Sequence, residues 1–166
     1  MTQEDGLVST SRSPRFTTWA AFLIFSTITL GAAVEAKNYT EASDETSDSN
    51  QKWAIACSGI TFGISLIVVL MHMHSVTSIF IVGTKIEGFL CLILAVFWAA
   101  TVSIVSDARH GLAVNENGEV KNGNLYYFSW AGFICSIVLW VSYLRSAFQI
   151  DMAGTLQSRS SPLQMW

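Results

Sequence analysis

The sequence predicts an all-α membrane protein, a bundle of four transmembrane helices joined by short loops. Three observations support this prediction. Four apolar stretches, each about 20 residues long, contain no Asp, Glu, Lys or Arg. Hydrophobic residues make up 51% of the chain and charged residues only 13%, about half of the charged fraction that is typical of soluble domains. The segments between the stretches are short and polar.

The predicted spans cover residues 16–34, 53–71, 88–106 and 125–144. At a rise of about 1.5 Å per residue, each can cross a hydrocarbon layer of roughly 30 Å. The first span follows a polar tail, residues 1–15, and its apolar core is too long for an ordinary signal peptide, so we expect it to be retained. Residues 16–145 form the predicted membrane domain. For the polar tail after it, residues 146–166, we expect no more than a short helical extension.

The loops differ in composition. The first, residues 35–52, is acidic and almost free of apolar side chains, so we expect it to be solvated. It contains Asn38-Tyr39-Thr40, which predicts a glycosylation site at Asn38. The third loop contains the turn dipeptides Asn117-Gly118 and Asn122-Gly123. Apolar residues flank the first of these dipeptides, so a small hairpin can form there.

The orientation of the bundle follows from the loops rather than from the basic residues. An even number of spans places both termini on one side of the membrane. Basic residues are almost equally common on the two sides, so they do not fix the orientation. The sequon and the acidic residues of the first loop favour an external loop and cytosolic termini, in the plasma membrane or in an endomembrane or vesicle.

Small residues at helical spacing predict where the helices pack. In lipid the helices associate through close contact, which small side chains allow. The candidates lie in the last three spans: Gly59 and Gly63 of a GxxxG step, Ala95, Ala99 and Ser103, and Gly132 and Ser136. We expect them to pack inside the bundle, and contact with another membrane protein or a second copy is the alternative. The three cysteines are expected to be packing residues as well.

Four ionisable residues mark the ends of the spans: Glu35, Glu87, Asp107 and Arg145. At these positions we expect the side chains to reach water. Charged groups inside a membrane are usually functional, and none of these four is central, which argues against a proton-coupled pump. Glu87, which lies between Lys85 and Gly88, is the residue to mutate first if transport is found.

No motif predicts catalysis or a bound cofactor. The basic residues are scattered, so no nucleic-acid partner is expected. Met71-His72-Met73-His74 offers soft ligands, but its two histidines point to nearly opposite sides of a helix, so no metal site is predicted. The motifs of hydrolases, metalloproteases and phosphate-binding loops are absent from the sequence. We therefore predict that the protein is not an enzyme and has no catalytic residues.

The layout resembles that of MARVEL-type four-helix membrane proteins. The similarity lies in four spans, cytosolic termini, a short acidic first loop and the way Asn124-Leu125-Tyr126-Tyr127-Phe128-Ser129-Trp130 opens the last span. It covers residues 16–145. The loop cysteines of claudins, tetraspanins and gap-junction proteins are missing. The resemblance implies a protein that organises membrane apposition, vesicle traffic or lipid-rich subdomains.

The leading functional prediction is a non-enzymatic integral membrane protein that organises membrane subdomains or protein complexes through helix packing. Its expected partners are the lipid bilayer and either other membrane proteins or a second copy of the chain. The alternative is a small transporter or channel, or its accessory subunit. Such a protein needs oligomerisation or a polar path, for which Thr61, Ser65 and Ser103 are the candidate lining residues.

Overall fold

The computed structural model describes residues 15–36, 45–73, 84–110 and 112–160, with only the backbone for residues 45–47, 110 and 149–160. Asn38 and residues 1–14 of the N-terminal tail lie outside the described residues. The described residues form four α-helices and no strand. The helices are α1 (Phe16–Glu35), α2 (Glu45–Met73), α3 (Lys85–Ser106) and α4 (Gly123–Ser160), with a 3-10 turn at Ala108–His110.

All four helices are long and apolar enough to cross a membrane, which confirms the predicted fold class. A helix satisfies its backbone hydrogen bonds internally, as the bilayer interior requires. None of the four described helices contains a proline. Two helices have side-chain caps at their first turns. The Thr84 Oγ1 accepts a hydrogen bond from the Glu87 N–H at 3.4 Å, and the Asn122 Oδ1 accepts one from the Leu125 N–H at 3.1 Å.

Two helices are longer than the sequence predicts. The helix α2 begins at Glu45, within the predicted loop, and α4 continues to Ser160, well past a short extension. The polar composition of these segments indicates contact with water but does not exclude a helix. In α2, Lys52 pairs with Asp48 one turn earlier at 2.6 Å, which supports an exposed helical turn.

The helices alternate in direction, as in an up-and-down bundle. The helix α1 packs along both α2 and α4, and α3 packs along α4, whereas α2 and α3 touch less extensively. The Gln51 amide donates a hydrogen bond to the Ala33 carbonyl at 2.9 Å, so the end of α1 lies beside the early part of α2. We call the opposite ends of the bundle the Arg15 end and the Asn122 end.

The Asn122 end is closed by the loop that follows α3. Val114 and Val120 form an antiparallel bridge, and Gly118 in the turn between them has φ +81°, a conformation that glycine adopts at little cost. Leu112 and Ala113 of this hairpin are buried against the end of α1. The structure thus shows the small hairpin at the position where the sequence allows one.

Candidate functional site

A buried ion pair lies at the Arg15 end of the bundle. The Nε of Arg15 is 3.1 Å from the Oε1 of Glu87, and the two side chains are 6% and 0% exposed. Arg15 is the N-cap residue of α1, and Glu87 lies in the first turn of α3. The pair therefore joins two helices that are not neighbours in the chain.

Three further side chains contact the Arg15–Glu87 pair. The Trp19 Nε1–H points to the same carboxylate oxygen at 3.5 Å, and the Arg15 Nη1 donates a hydrogen bond to the Ser146 Oγ at 3.1 Å. The guanidinium carbon of Arg15 lies 6.0 Å from the centre of the Tyr143 ring, within the range of a cation–π interaction. We call these five residues the Glu87 pocket.

Close packing on α4 shapes the Glu87 pocket from one side. A Cβ added to Gly88 would lie 2.1 Å from the Tyr143 ring, so only glycine allows the ring to reach this position. The contact brings the Tyr143 ring against the first turn of α3, directly after Glu87. A side chain at residue 88 would therefore displace the aromatic wall of the pocket.

The buried position of Glu87 corrects the sequence-based expectation. We expected Glu35, Glu87, Asp107 and Arg145 to reach water at the helix ends. Glu35 and Arg145 are exposed and Asp107 is partly exposed, but Glu87 has no exposed surface. A carboxylate buried among apolar side chains loses its hydration, and a cationic partner compensates only part of that loss.

Among the five members of the Glu87 pocket, the sequence analysis named only Glu87 as a candidate. It placed Arg15 in the polar tail, whereas the structure buries both Arg15 and Trp19 inside the bundle. One signal was present. Alternating helix directions place Arg15 and Glu87, which have opposite charges, at the same end of the bundle.

The predicted packing residues occupy different surroundings. Ala95, Gly132 and Ser136 are buried, Gly59 and Gly63 are partly buried, and Ala99 and Ser103 are exposed on the outside of the bundle. A Cβ added to Gly132 would lie 2.2 Å from the Trp98 ring, whereas one added to Gly63 would meet nothing within 4 Å. Close approach of α3 and α4 therefore depends on Gly132.

The candidate residues for a polar path are not continuous. The Thr61 Oγ1 accepts a hydrogen bond from the Trp98 Nε1–H at 3.1 Å, inside the bundle. Ser65 is also buried, but Ser103 is exposed on the outer surface. In this conformation, the three residues do not line one common path.

An exposed ion pair provides a contrast to the Glu87 pocket. After the end of α3, Arg109 Nη2 lies 2.9 Å from Asp107 Oδ2, and the Arg109 side chain is largely in solvent. The hydrogen bond that Arg109 donates to Asp107, and then the negative charge of Asp107, raise the pKa of Arg109. Exposed pairs of this kind contribute little to stability.

Comparison with known proteins finds similarity to Na(+)/H(+) antiporters. The Na(+)/H(+) antiporter NhaA 1 of Campylobacter jejuni (strain RM1221) is 30% identical over 123 residues, which cover 68% of this chain and 30% of the antiporter. The same protein of Campylobacter jejuni subsp. jejuni serotype O:23/36 (strain 81-176) is 29% identical with the same coverage. A continuous stretch of 68% must include the middle third of the chain, and thus Glu87.

The chain spans about 30% of the length of the curated relatives it matches. No family model matches the sequence, and no solved structure matches it significantly. By its four helices the chain is a multi-pass integral membrane protein, and it is similar over part of its length to proteins named as Na(+)/H(+) antiporters.

Proposed function

We propose that this protein takes part in the transport of a monovalent cation across a membrane, in exchange for protons, with Glu87 as the exchanging group. The observation that carries the proposal is the similarity to proteins named as Na(+)/H(+) antiporters. Transport was the alternative in the sequence analysis, which argued against a proton-coupled pump because the ionisable residues lie at the ends of the spans. The burial of Glu87 and the similarity to antiporters favour exchange over a membrane-organising role.

The chemistry of Glu87 supports the proposal independently. A carboxylate that is shielded from water needs either a proton or a cation as its partner, because an isolated buried charge is strongly disfavoured. Binding of one partner excludes the other, and this competition is the elementary step of an exchanger. Ionisable residues within a membrane protein are functional candidates for this reason.

The size of the chain bears on how it acts. The region matched by this four-helix chain covers only 30% of the length of the antiporter. The larger apolar side chains on the outside of the described bundle include Ile67, Phe89 and Ile134. We propose that a second copy or another membrane protein completes the transport path, as the sequence analysis expects for a small transporter.

A flux assay in liposomes tests the proposal. The purified protein is reconstituted with a pH-sensitive dye inside the vesicles, and sodium, potassium or guanidinium chloride is added outside in separate trials. We expect a cation-dependent change in internal pH with the wild-type protein and its loss with Glu87→Gln. Asp107→Asn, at the exposed ion pair, is the matched control and should retain the flux.

The flux assay has two outcomes that would contradict the proposal. Flux that survives in Glu87→Gln, in protein that folds normally by circular dichroism, would show that Glu87 is not the exchanging group. A folded wild-type protein without flux for any of the three cations would contradict transport by this chain alone. The membrane-organising role, which is the leading prediction of the sequence analysis, would then be the next function to test.

A further inference from the structure

We propose that the Glu87 pocket recognises guanidinium-type cations, and that Arg15 is the occupant seen in this conformation. The inference rests on the proposed cation exchange at Glu87 and specifies the class of cation. The ligand class is free guanidinium or a singly substituted guanidine. The argument starts from what surrounds the Arg15 side chain.

The contacts of Arg15 are those that a guanidinium group uses and a simple metal ion does not. One nitrogen lies beside a carboxylate, a second donates to a hydroxyl, and the plane lies near an aromatic ring. A guanidinium ion can form directed hydrogen bonds in its own plane and stack on a ring, and it is more weakly hydrated than an ammonium ion. Its transfer into a buried site is therefore less costly.

The described side chains around the Arg15–Glu87 pair offer few oxygen ligands for a bare metal ion. The contacts described for the pair are made by the Ser146 hydroxyl, the face of the Tyr143 ring and the Trp19 indole, whose N–H points to the Glu87 carboxylate. A small hard cation prefers to be surrounded by several oxygen atoms. This set of groups suits a flat organic cation better.

The Arg15 side chain does not use all of its hydrogen-bonding capacity in the pocket. The Arg15 Nε is buried and within 3.1 Å of the Glu87 oxygen, yet its N–H is not aligned for a hydrogen bond. Its position is dictated by the backbone at the start of α1. A guanidinium ion without this tether can turn to form two parallel bonds to the carboxylate, which is the strongest geometry for this pair.

The position of Arg15 makes its removal practicable. It is the N-cap residue of α1, and its side chain does not cap the helix. The backbone bond from the Trp19 N–H to the Arg15 carbonyl, at 3.0 Å, does not depend on the side chain. Arg15→Ala therefore removes the Arg15 guanidinium from the pocket while the helix can still begin at the same place.

Thermal unfolding of Arg15→Ala in detergent, with added salts, tests the inference. Guanidinium chloride at about 10 mM, far below denaturing concentrations, is compared with sodium chloride and choline chloride at equal ionic strength. We expect guanidinium to raise the melting temperature by about 3 °C for each tenfold increase above its Kd. Sodium should act only at concentrations at least tenfold higher, and choline should not act.

Two further variants identify the site. In Arg15→Ala/Glu87→Gln the guanidinium response should disappear, because the carboxylate is gone. Arg109→Ala, which removes the arginine of the exposed pair, should gain no response. The wild-type protein should respond at least tenfold more weakly than Arg15→Ala, since its pocket is occupied. Equal responses in wild type and Arg15→Ala, or equal responses to sodium and guanidinium, would overturn the inference.

Recovery of folded protein decides the case in which Arg15→Ala does not fold in plain buffer. The variant is then purified in about 10 mM guanidinium chloride or in sodium chloride of the same concentration. Folded, monodisperse protein in guanidinium alone supports the inference, whereas recovery in both salts or in neither contradicts it. A guanidinium response without flux in liposomes would contradict the transport role and support the guanidinium site. Glu87-dependent flux without a guanidinium response would support the transport role and contradict the guanidinium site.

Discussion

Trp98 donates a hydrogen bond through its indole Nε1 to the Thr61 Oγ1 at 3.1 Å, and both side chains are completely buried. The Thr61 hydroxyl in turn donates to the Cys57 carbonyl at 2.8 Å, within its own helix. The bond therefore connects α3 to α2, the two sequential helices with the less extensive contact. Polar bonds between helices supply association energy that hydrophobic burial cannot provide in lipid.

Thr61→Val should destabilise the bundle by about 1 kcal/mol, because it leaves the Trp98 N–H without an acceptor in an apolar interior. Unfolding in sodium dodecyl sulfate, followed by circular dichroism, measures this loss. Thr27→Val is the matched control, since the Thr27 hydroxyl is exposed and bonds only within its own helix. A double-mutant cycle with Trp98→Phe should give a coupling of about 0.6 kcal/mol, and a coupling of zero would show that the bond contributes nothing.

Gly132→Ala should destabilise the bundle by about 1 to 3 kcal/mol, as overpacking of a dense interior does. The new methyl group would lie 2.2 Å from a Trp98 ring that is held on all sides. Gly63→Ala should be neutral or stabilising by up to about 1 kcal/mol, because it meets no neighbour and improves helix propensity. The same unfolding assay compares the two, and equal stabilities would contradict this packing.

The Gly63→Ala variant also tests association between copies of the chain. If the GxxxG step of Gly59 and Gly63 acts in a homo-oligomer, Gly63→Ala should reduce the oligomer fraction in crosslinking or light scattering without lowering monomer stability. An unchanged oligomer fraction would show that the GxxxG step does not contribute to contacts between copies of the chain.

Asn122→Ala should destabilise the Asn122 end by about 1 to 2 kcal/mol, since one amide serves two helices. The Asn122 Oδ1 caps α4 through the Leu125 N–H, and the Nδ2 donates to the Ala32 carbonyl at 3.3 Å. Asn122→Asp keeps the cap but loses the donor, so its stability should lie between those of wild type and Asn122→Ala. Asn117→Ala, in the exposed turn, should have no effect. Hydrogen exchange at the start of α4 provides the measurement.

The native cysteines should not react with a maleimide reagent until the protein is unfolded. Cys57, Cys91 and Cys135 are free thiols, and each is buried within the bundle. A cysteine introduced at Asn117, which is exposed, should therefore be the single fast-reacting thiol. With a membrane-impermeant reagent, rapid labelling from outside the cell supports cytosolic termini, and labelling only after permeabilisation contradicts them.

The location of the helices could be predicted because the signal is local. The first span, residues 16–34, corresponds closely to α1 (Phe16–Glu35), and the third to α3 (Lys85–Ser106). A length of apolar sequence determines a span without reference to the rest of the chain. The helical turns outside the membrane, such as Glu45 to Lys52, have no apolar signal and were therefore missed.

The Glu87 pocket could not be predicted because it depends on the rotation of three helices about their axes. Trp19 and Glu87 are 68 residues apart, and Arg15 and Ser146 are 131 residues apart. Alternating helix directions place Arg15 and Glu87 at the same end of the bundle, but they do not show which side chains point inward. The same limit explains why Gly88, which permits the Tyr143 contact, was not among the predicted packing residues.

The Glu87 pocket also sets a condition on the biogenesis of the protein. Its guanidinium precedes α1, its carboxylate comes with α3, and its hydroxyl and aromatic ring come only with α4. A ribosome therefore delivers the two charges before it delivers the helix that shields them. Until α4 has been inserted, the nascent chain presents an open pair of charges at one border of the bilayer. In a chain interrupted before Tyr143, the two charges would stay uncovered. This exposure would distinguish the truncated chain from the complete protein.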